Sequence, residues 1–370
     1  MIGFVLPHSS NALLLVNPIM CVLFWLFKEN KSTLRISGLV IVPLLLSLFY
    51  NLLQVSSLKP ILLCVTLGLY VFIFPFVDSR LGVKPIYFYV TLIIILISQL
   101  AYVLDVSFIT NLLDTFYPIE GENESMYSHM RSNVTVENML NYRLGGLYRN
   151  PNDCARSLTL LLVSFLVLFR DKKVLPFMAL SLGGVLITGS RTGAVIAILI
   201  IIAFFVFCTN SRSLLLICVL SAFIVVLLFT AISDNSFMRA LDVSSGFNNS
   251  LSLKWNTFEY YINNEDSIIR MLLGYLDPER FDSSYGIMNH FDSDYGYLFF
   301  NYGIIGFTGI LLYSLALLKR MTKSGRVFLI ILLWMVTSTV FSSYRCVFVY
   351  MLLLSLVFNQ NHNDKSILRS

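Results

Sequence analysis

Long apolar runs separated by short charged segments make up most of this sequence. A bilayer core of about 30 Å is crossed by roughly 20 apolar residues in a helix. The runs are continuous rather than alternating, which favours helices over a β-barrel. They predict eleven membrane-spanning helices, within a range of ten to twelve, near residues 12–27, 36–53, 60–77, 86–104, 153–169, 174–189, 192–208, 213–232, 294–318, 327–342 and 346–358.

The composition agrees with this pattern. Hydrophobic residues make up 57% of the 370 residues and charged residues 13%, and the mean hydropathy is +0.77. A soluble globular domain carries about 25% charged residues. We therefore expect an all-α, polytopic helical bundle forming a single membrane domain over residues 1–370. The six cysteines fall in or at the ends of the apolar runs, so neither a disulfide framework nor a zinc site is predicted.

Basic residues are distributed unequally between the alternate short connections. If the N-terminus lies outside, the cytoplasmic connections and the C-terminal tail hold 15 Lys and Arg, whereas the opposite short connections hold only Lys59, Arg191 and Arg345. The positive-inside rule then predicts an external N-terminus and a cytoplasmic C-terminus. The same orientation places both long hydrophilic segments, 105–152 and 233–293, on the external side.

Arg156 lies just inside the fifth predicted span, six residues after Asn150. An arginine at the bilayer centre costs about 3 kcal/mol, so its presence suggests a binding role together with Arg143 and Arg149 of the preceding segment. The alternative is an arginine that pairs with Asp153 and extends towards the interface.

Arg191 lies in Thr188-Gly189-Ser190-Arg191-Thr192-Gly193, a tight external turn between two uncharged spans. The glycines permit a sharp turn, and the following helix N-terminus adds a positive dipole. A guanidinium group binds phosphate oxygens through two hydrogen bonds and stays protonated. The turn therefore predicts an anion site for a diphosphate, with a plain interfacial turn as the alternative.

Two carboxylates and an imidazole precede the ninth predicted span, at Asp292, Asp294 and His290. A carboxylate at this position could act as a general base towards a hydroxyl group, whereas Ser293 or Asp294 could instead cap the helix. The acidic pair is also similar to the metal-binding pair of nucleotide-sugar transferases, which need a soluble nucleotide fold that this chain lacks. Tyrosines of the external segments offer sugar-stacking faces or form an interfacial aromatic belt; the sugar-binding candidates are Tyr148, Tyr285 and Tyr295.

Three motifs together resemble the bacterial O-antigen polymerases and the related O-antigen ligases. They are Gly145-Gly146-Leu147-Tyr148-Arg149-Asn150-Pro151-Asn152, then Thr188 to Gly193, then Leu273-Gly274 followed by Asp292-Ser293-Asp294-Tyr295 and Tyr302-Gly303-Ile304-Ile305-Gly306. They cover roughly residues 140–310, in the order and on the side that the family shows.

The resemblance implies a GT-C-like glycosyltransferase of the bacterial inner membrane that works at its periplasmic face. The substrate would be an oligosaccharide on undecaprenyl diphosphate, without nucleotide sugar, metal or other cofactor. Arginines matching Arg149 and Arg191 would hold the diphosphate, with Arg143 or Arg156 near them and Arg270 and Arg280 as candidates to assist. A chain-length regulator protein is a candidate partner, and no nucleic acid is expected.

Ligases of this family usually carry a histidine where this chain has Asp292, and His290 lies two residues too early. We therefore expect a polymerase rather than a ligase that transfers glycan to the lipid A core. A lipid-linked oligosaccharide flippase or another transporter is the alternative from a different class, since transporters place charged or helix-broken sites near the midplane. A membrane assembly protein is the third possibility.

Overall fold

The computed structural model describes residues 34–53, 84–101, 104, 106–116, 144–148, 151–169, 174–208, 267–276 and 294–320, with isolated positions between 61 and 68 and at 259, 262, 263, 327 and 350. Within these ranges the structure is helical and contains no β-strand. The helices are α1 (Leu34–Asn51), α2 (Pro85–Leu100), α3 (Ser107–Phe116), α4 (Pro151–Leu168), α5 (Val174–Ile187), α6 (Arg191–Cys208), α7 (Ile268–Leu273) and α8 (Asp294–Arg320).

Two helical segments, Pro151–Leu168 and Tyr295–Ala316, are long and apolar enough to cross a membrane, and four shorter apolar helices accompany them. Six predicted spans coincide with α1, α2, α4, α5, α6 and α8 to within a few residues at each end. The predicted spans near 12–27 and 213–232 lie outside the described residues. Only isolated positions are described in those near 60–77, 327–342 and 346–358, so the total number of spans stays a prediction.

One compact unit contains α2 to α6. Buried residues recur on one face of α2, at Phe88, Thr91, Leu92, Ile95, Ser98 and Gln99. At one end of the unit the rings of Phe165 in α4 and Phe177 in α5 stack with centroids 4.0 Å apart, and Phe88 of α2 meets both edge-on. Helix α4 is the centre of the unit, because 83% of its residues are buried.

A second compact unit contains α1, α7 and α8. Helix α8 is interrupted at Gly303, whose φ of 64° and ψ of −173° are not helical. The N–H groups of Tyr275 and Leu276, just after α7, donate to the carbonyls of Phe300 and Asn301 at 2.9 Å. Carbonyl groups freed by the break thus obtain new partners, as buried backbone groups require.

The rings of Tyr295 and Phe307 show how sharp this break is. In a continuous helix residues twelve apart are separated by about 18 Å along the axis, yet the two ring centroids lie 5.9 Å apart. The segments on either side of Gly303 must therefore turn towards each other. The sequence predicted one continuous helix at 294–318, and this is wrong: the structure has two helical segments joined at Gly303.

Helix α1 packs along the second of these segments. A Cβ atom at Gly309 would collide with the carbonyl oxygen of Leu39, and the hydroxyl of Ser47 donates to the carbonyl of Asn301 at 3.3 Å. The amide of Asn51 donates to Gly274 O at 3.0 Å. The break therefore lies beside the last turns of α1.

Helices α3 and α7 fall in the two segments, 105–152 and 233–293, that the sequence predicts as long hydrophilic connections. Neither helix was predicted. Both carry exposed apolar side chains, including Phe108 in α3 and Ile268 in α7, which are 77% and 74% exposed.

Candidate functional site

The turn at residues 144–148 packs against the C-terminal end of α2. Gly146 has a φ of 58°, and a Cβ atom there would collide with Ser98 Oγ and lie 2.9 Å from the backbone nitrogen of Gln99. The Ser98 hydroxyl accepts a hydrogen bond from the Leu147 N–H at 3.1 Å. Only glycine fits this position, because the site combines a left-handed conformation with direct backbone contact.

Gln99 connects this turn to two other helices. Its Nε2 donates to Gly184 O in α5 at 3.0 Å and to Leu144 O at 3.3 Å, and it lies 3.4 Å from Cys154 Sγ in α4. The side chain is fully buried. A polar residue within an apolar span therefore holds the turn against the ends of α5 and α4.

The turn between α5 and α6 is built by two short polar side chains. Ser190 N–H donates to Thr188 Oγ1 at 3.2 Å, and Ser190 Oγ accepts from Gly193 N–H at 3.2 Å. The second bond is an N-cap, which satisfies one of the free N–H groups at the start of α6. Ser190 is 3% exposed and Thr188 is fully buried, so this turn is rigidly packed.

The first turn of α6 touches α4 one turn after its start. A Cβ atom at Gly193 would lie 2.7 Å from Ala155 Cβ, so a glycine and an alanine permit this approach. Arg191 is the first residue of α6, and Pro151 is the first residue of α4. Two helix N-termini with their positive dipoles therefore lie side by side at one end of this unit.

Arg156 lies one turn into α4, beside this contact. Its Nη2 is 2.6 Å from Asp153 Oδ1, and the side chain is 1% exposed, whereas that of Asp153 is 19% exposed. The pairing with Asp153 is thus present, but Arg156 does not extend into solvent. Loss of either partner would remove this ion pair from a largely buried arginine, which is costly.

The remaining predicted site residues are described to different extents. Tyr148 is 1% exposed, so its ring offers no open face here. Tyr295 is half-buried on the first turn of α8, where its ring meets Phe307. Arg191 and Asp294 begin α6 and α8. Six candidates lie outside the described residues: Arg143, Arg149, Arg280, Tyr285, His290 and Asp292.

Arg270 lies on α7 and is half-buried. Its Nη1 donates to Tyr275 Oη at 3.3 Å, and its guanidinium carbon lies 4.9 Å from the centre of the Tyr275 ring. That ring stacks on Phe300 with centroids 4.9 Å apart. The cation–π contact places Arg270 beside the helix break of the second unit.

Sequence reasoning did not identify Gln99, Ser98 or Ser190 as builders of the site. Two features of the sequence could have indicated them. Gln99 is a polar residue near the end of an otherwise apolar run, and Ser190 lies three residues before a glycine at the start of a helix. Within the described ranges no group of three or more His, Cys, Asp or Glu side chains could hold a metal ion.

Comparison with known proteins adds no relative: no family model, no curated protein and no solved structure matches this chain.

Proposed function

We propose that this chain is a membrane-embedded glycosyltransferase that extends a surface polysaccharide carried on undecaprenyl diphosphate. The growing glycan is the donor, and a new lipid-linked repeat unit is the acceptor. The chain would lie in the bacterial inner membrane as a GT-C-like bundle of about eleven spans, with its N-terminus and its site on the periplasmic side. A chain-length regulator is a candidate partner.

Exposed apolar side chains support residence in a membrane. Along α1, Val42 and Phe49 are 55% and 70% exposed, and along α2, Ile86 and Ile97 are 56% and 47% exposed. Exposed apolar residues thus continue along the length of both helices. Contiguous apolar surface is unfavourable in water and is suited to lipid chains.

One observation supports the proposal for the site, namely the contact of Gly193, on the first turn of α6, with Ala155, one turn after the start of α4. It unites two motifs that are about 40 residues apart in the sequence. Arg191 starts α6, and Arg149 precedes α4 by two residues. Two helix N-termini with arginines at or before them favour binding of a diphosphate.

The reaction transfers the glycan from diphosphate to a hydroxyl group. The acceptor oxygen bonds to the anomeric carbon while the bond from that carbon to the diphosphate oxygen breaks, and undecaprenyl diphosphate leaves with the bonding electrons. Arg149 and Arg191, assisted by Arg143 or Arg156, would stabilise the developing negative charge. Asp292 or Asp294 would accept the hydroxyl proton, with His290 as the other candidate base.

The break in α8 bears on where this base acts. Gly303 lies beside the last turns of α1, and nine residues separate it from Asp294. We propose that the membrane segment of α8 begins after Gly303. Asp294 then begins a separate helical segment that turns towards Phe307, and its carboxylate would meet the periplasmic acceptor from that segment.

The experiment is a reaction with purified protein and the lipid-linked repeat unit as the sole substrate. The unmodified chain should give a ladder of polymer lengths. Arg191→Ala should abolish the ladder at unchanged protein level, and Arg191→Lys should restore part of it, since lysine keeps the charge but not the two-pronged hydrogen bonding. Val195→Ala, one turn further along α6, outside the turn and 57% exposed, is the matched control and should polymerise normally.

A normal ladder from Arg191→Ala would overturn the diphosphate role of this turn. Transfer to the lipid A core with no ladder from the repeat unit would identify a ligase instead. Absence of both products with the unmodified, folded protein would remove the glycosyltransferase proposal.

One observation favours a transporter as the second candidate, because interrupted helices often form transport sites. The break at Gly303, however, lies beside the last turns of α1, and its carbonyls are bonded to the backbone of Tyr275 and Leu276. Movement of a fluorescent lipid-linked sugar across vesicles containing the purified protein would support this candidate. Polymerisation without such movement would exclude it.

A further inference from the structure

Helix α3 has two faces of opposite character. In Ser107–Phe116 the apolar residues occupy positions 108, 109, 112, 113 and 116, and the polar residues occupy 107, 110, 111, 114 and 115. At 100° per residue each set falls on one side of the helix. Backbone bonds from Ile109 N–H and Thr110 N–H to the Val106 carbonyl, at 2.9 and 3.0 Å, fix where the helix begins.

Two of the three described side chains on the apolar face of α3 are exposed, and the third, Ile109, is half-buried. Phe108 is 77% exposed and Leu112, one turn later, is 46% exposed. Helix α3 contacts α2, yet these side chains remain open. An amphipathic helix normally turns such a face towards a core, so its exposure requires another apolar environment.

The exposed face continues an apolar stripe on α2. Exposed residues recur along that helix at Ile86, Val90, Ile93 and Ile97. Beyond its end, Leu104 N–H bonds to Leu100 O at 3.0 Å and Val106 N–H bonds to Ala101 O at 3.1 Å. Leu104, which is 61% exposed, connects the α2 stripe to Phe108 and Leu112.

We infer that α3 lies in the plane of the membrane interface with Phe108 and Leu112 inserted among phospholipid chains. The inference rests on the membrane residence assumed in the proposed function. The helix has ten residues, too few to span a bilayer. In-plane helices insert their apolar face about 5–10 Å into the boundary between headgroups and acyl chains.

The charge of α3 determines whether its insertion depends on anionic lipids. The segment contains one charged residue, Asp114, and no lysine or arginine. In-plane helices that bind anionic lipids carry basic residues on their polar face. Insertion of α3 should therefore depend on apolar contact alone and should not increase with the anionic lipid fraction.

The test places an environment-sensitive fluorophore on single cysteines of the full chain in lipid nanodiscs, after replacement of the six native cysteines by serine. Variants Phe108→Cys and Leu112→Cys probe the apolar face, and Ser107→Cys is the matched control on the polar face. The first two probes should emit at shorter wavelength and lose most of their fluorescence to lipids carrying a nitroxide near the headgroup. The Ser107 probe should keep its fluorescence, and exchange of neutral for anionic lipid should change none of the three.

Three results would overturn the inference. The first is equal exposure of all three probes to water. The second is a blue shift at Phe108 without quenching by lipid, which would mean that the residue is buried against protein. The third is stronger quenching by nitroxides near the bilayer centre than by nitroxides near the headgroup. Val90→Cys on α2 separates this inference from the proposed function. If the probe at Val90 is quenched by lipid and the probe at Phe108 is not, only the proposed position of α3 is wrong. If the probe at Val90 is not quenched either, the proposal that the chain lies in a membrane is wrong.

A second measurement avoids replacement of the native cysteines. Phe108→Trp in the otherwise unmodified chain should be quenched by brominated lipids, and Ser107→Trp should not, after subtraction of the three native tryptophans. Equal quenching of both variants would contradict the assignment of faces.

Discussion

The two units of this protein hold their turns in different ways. In the unit of α2 to α6, side chains bond to backbone groups: Gln99 reaches two carbonyls, and Ser98 and Ser190 accept from N–H groups. In the unit of α1, α7 and α8, Ser47 and Asn51 also bond to carbonyls, but the break at Gly303 in addition brings backbone directly against backbone. A Cβ atom at Gly303 would lie 2.5 Å from Leu273 N, and one at Gly274 would lie 2.5 Å from Tyr302 N.

This difference predicts how each unit responds to substitution. A side-chain hydrogen bond can be replaced by another residue of similar reach and polarity, at a cost of about 1 kcal/mol when it is lost. A close backbone contact at a positive φ cannot be replaced, because every residue other than glycine adds a Cβ atom. Loss of a side-chain bond should therefore reduce stability in small steps, whereas a substitution at Gly303 or Gly274, and at Gly146 in the first unit, should reduce it strongly.

The largest effect is expected at Gly303. Gly303→Ala must accommodate a methyl group against the backbone of Leu272 and Leu273 at a φ of 64°, which should cost about 3 kcal/mol. Thermal unfolding of the purified protein in nanodiscs measures the loss. Gly38→Ala, in α1 of the same unit and with open space around it, is the matched control and should be neutral or slightly stabilising. Equal melting temperatures for the two variants would refute the contrast between the units.

An intermediate effect is expected at Gln99. Gln99→Leu leaves the buried carbonyls of Leu144 and Gly184 without this donor, which should cost about 2 kcal/mol. The matched control is Ser181→Ala on α5, since the buried Ser181 hydroxyl has no hydrogen-bond partner among the residues that the structure describes. That variant should keep or raise the melting temperature. A larger loss from Ser181→Ala than from Gln99→Leu would show that the described bonds do not stabilise this unit.

The smallest effect on stability, and the most informative one for function, is expected at Ser190. Ser190→Ala removes the N-cap of α6 and should cost about 1 kcal/mol. Ser190→Asn and Ser190→Asp both restore a capping oxygen and should recover the melting temperature. Only the aspartate adds a negative charge beside Arg191, so it should weaken polymer formation while asparagine preserves it. Equal activity of the two would argue against an anion at this turn.

Hydropathy was sufficient to predict six of the described helices, because each is a continuous apolar run bounded by charged or turn residues. It could not predict the break at Gly303, which lies within Tyr302-Gly303-Ile304-Ile305-Gly306. A glycine inside such a run is compatible with an unbroken helix. Its conformation depends on the contact with Leu272 and Leu273, which are 31 and 30 residues away in the chain. Helix α3 was missed because its short amphipathic pattern was grouped with the hydrophilic segment around it.

For the candidate site, the sequence predicted the sharp turn before Arg191 and the helix N-terminus after it. The pairing of Arg156 with Asp153, which the sequence offered as the alternative to a binding role, is present in the structure. The contact between Gly193 and Ala155 could not be predicted, because small residues on a helix do not specify which neighbour they meet. The roles of the arginines and of Asp292 and Asp294 stay predictions.

The break at Gly303 has a mechanical consequence. An unbroken helix would transmit any tilt at Asp294 along its whole length, because each turn is bonded to the next. Here Phe300 and Asn301 give their carbonyls to Tyr275 and Leu276 instead. The orientation of residues 294–302 is therefore set by these bonds to the chain after α7 and by the ring contacts of Tyr295 and Phe299 with Phe307, rather than by helix continuity with residues 304–320.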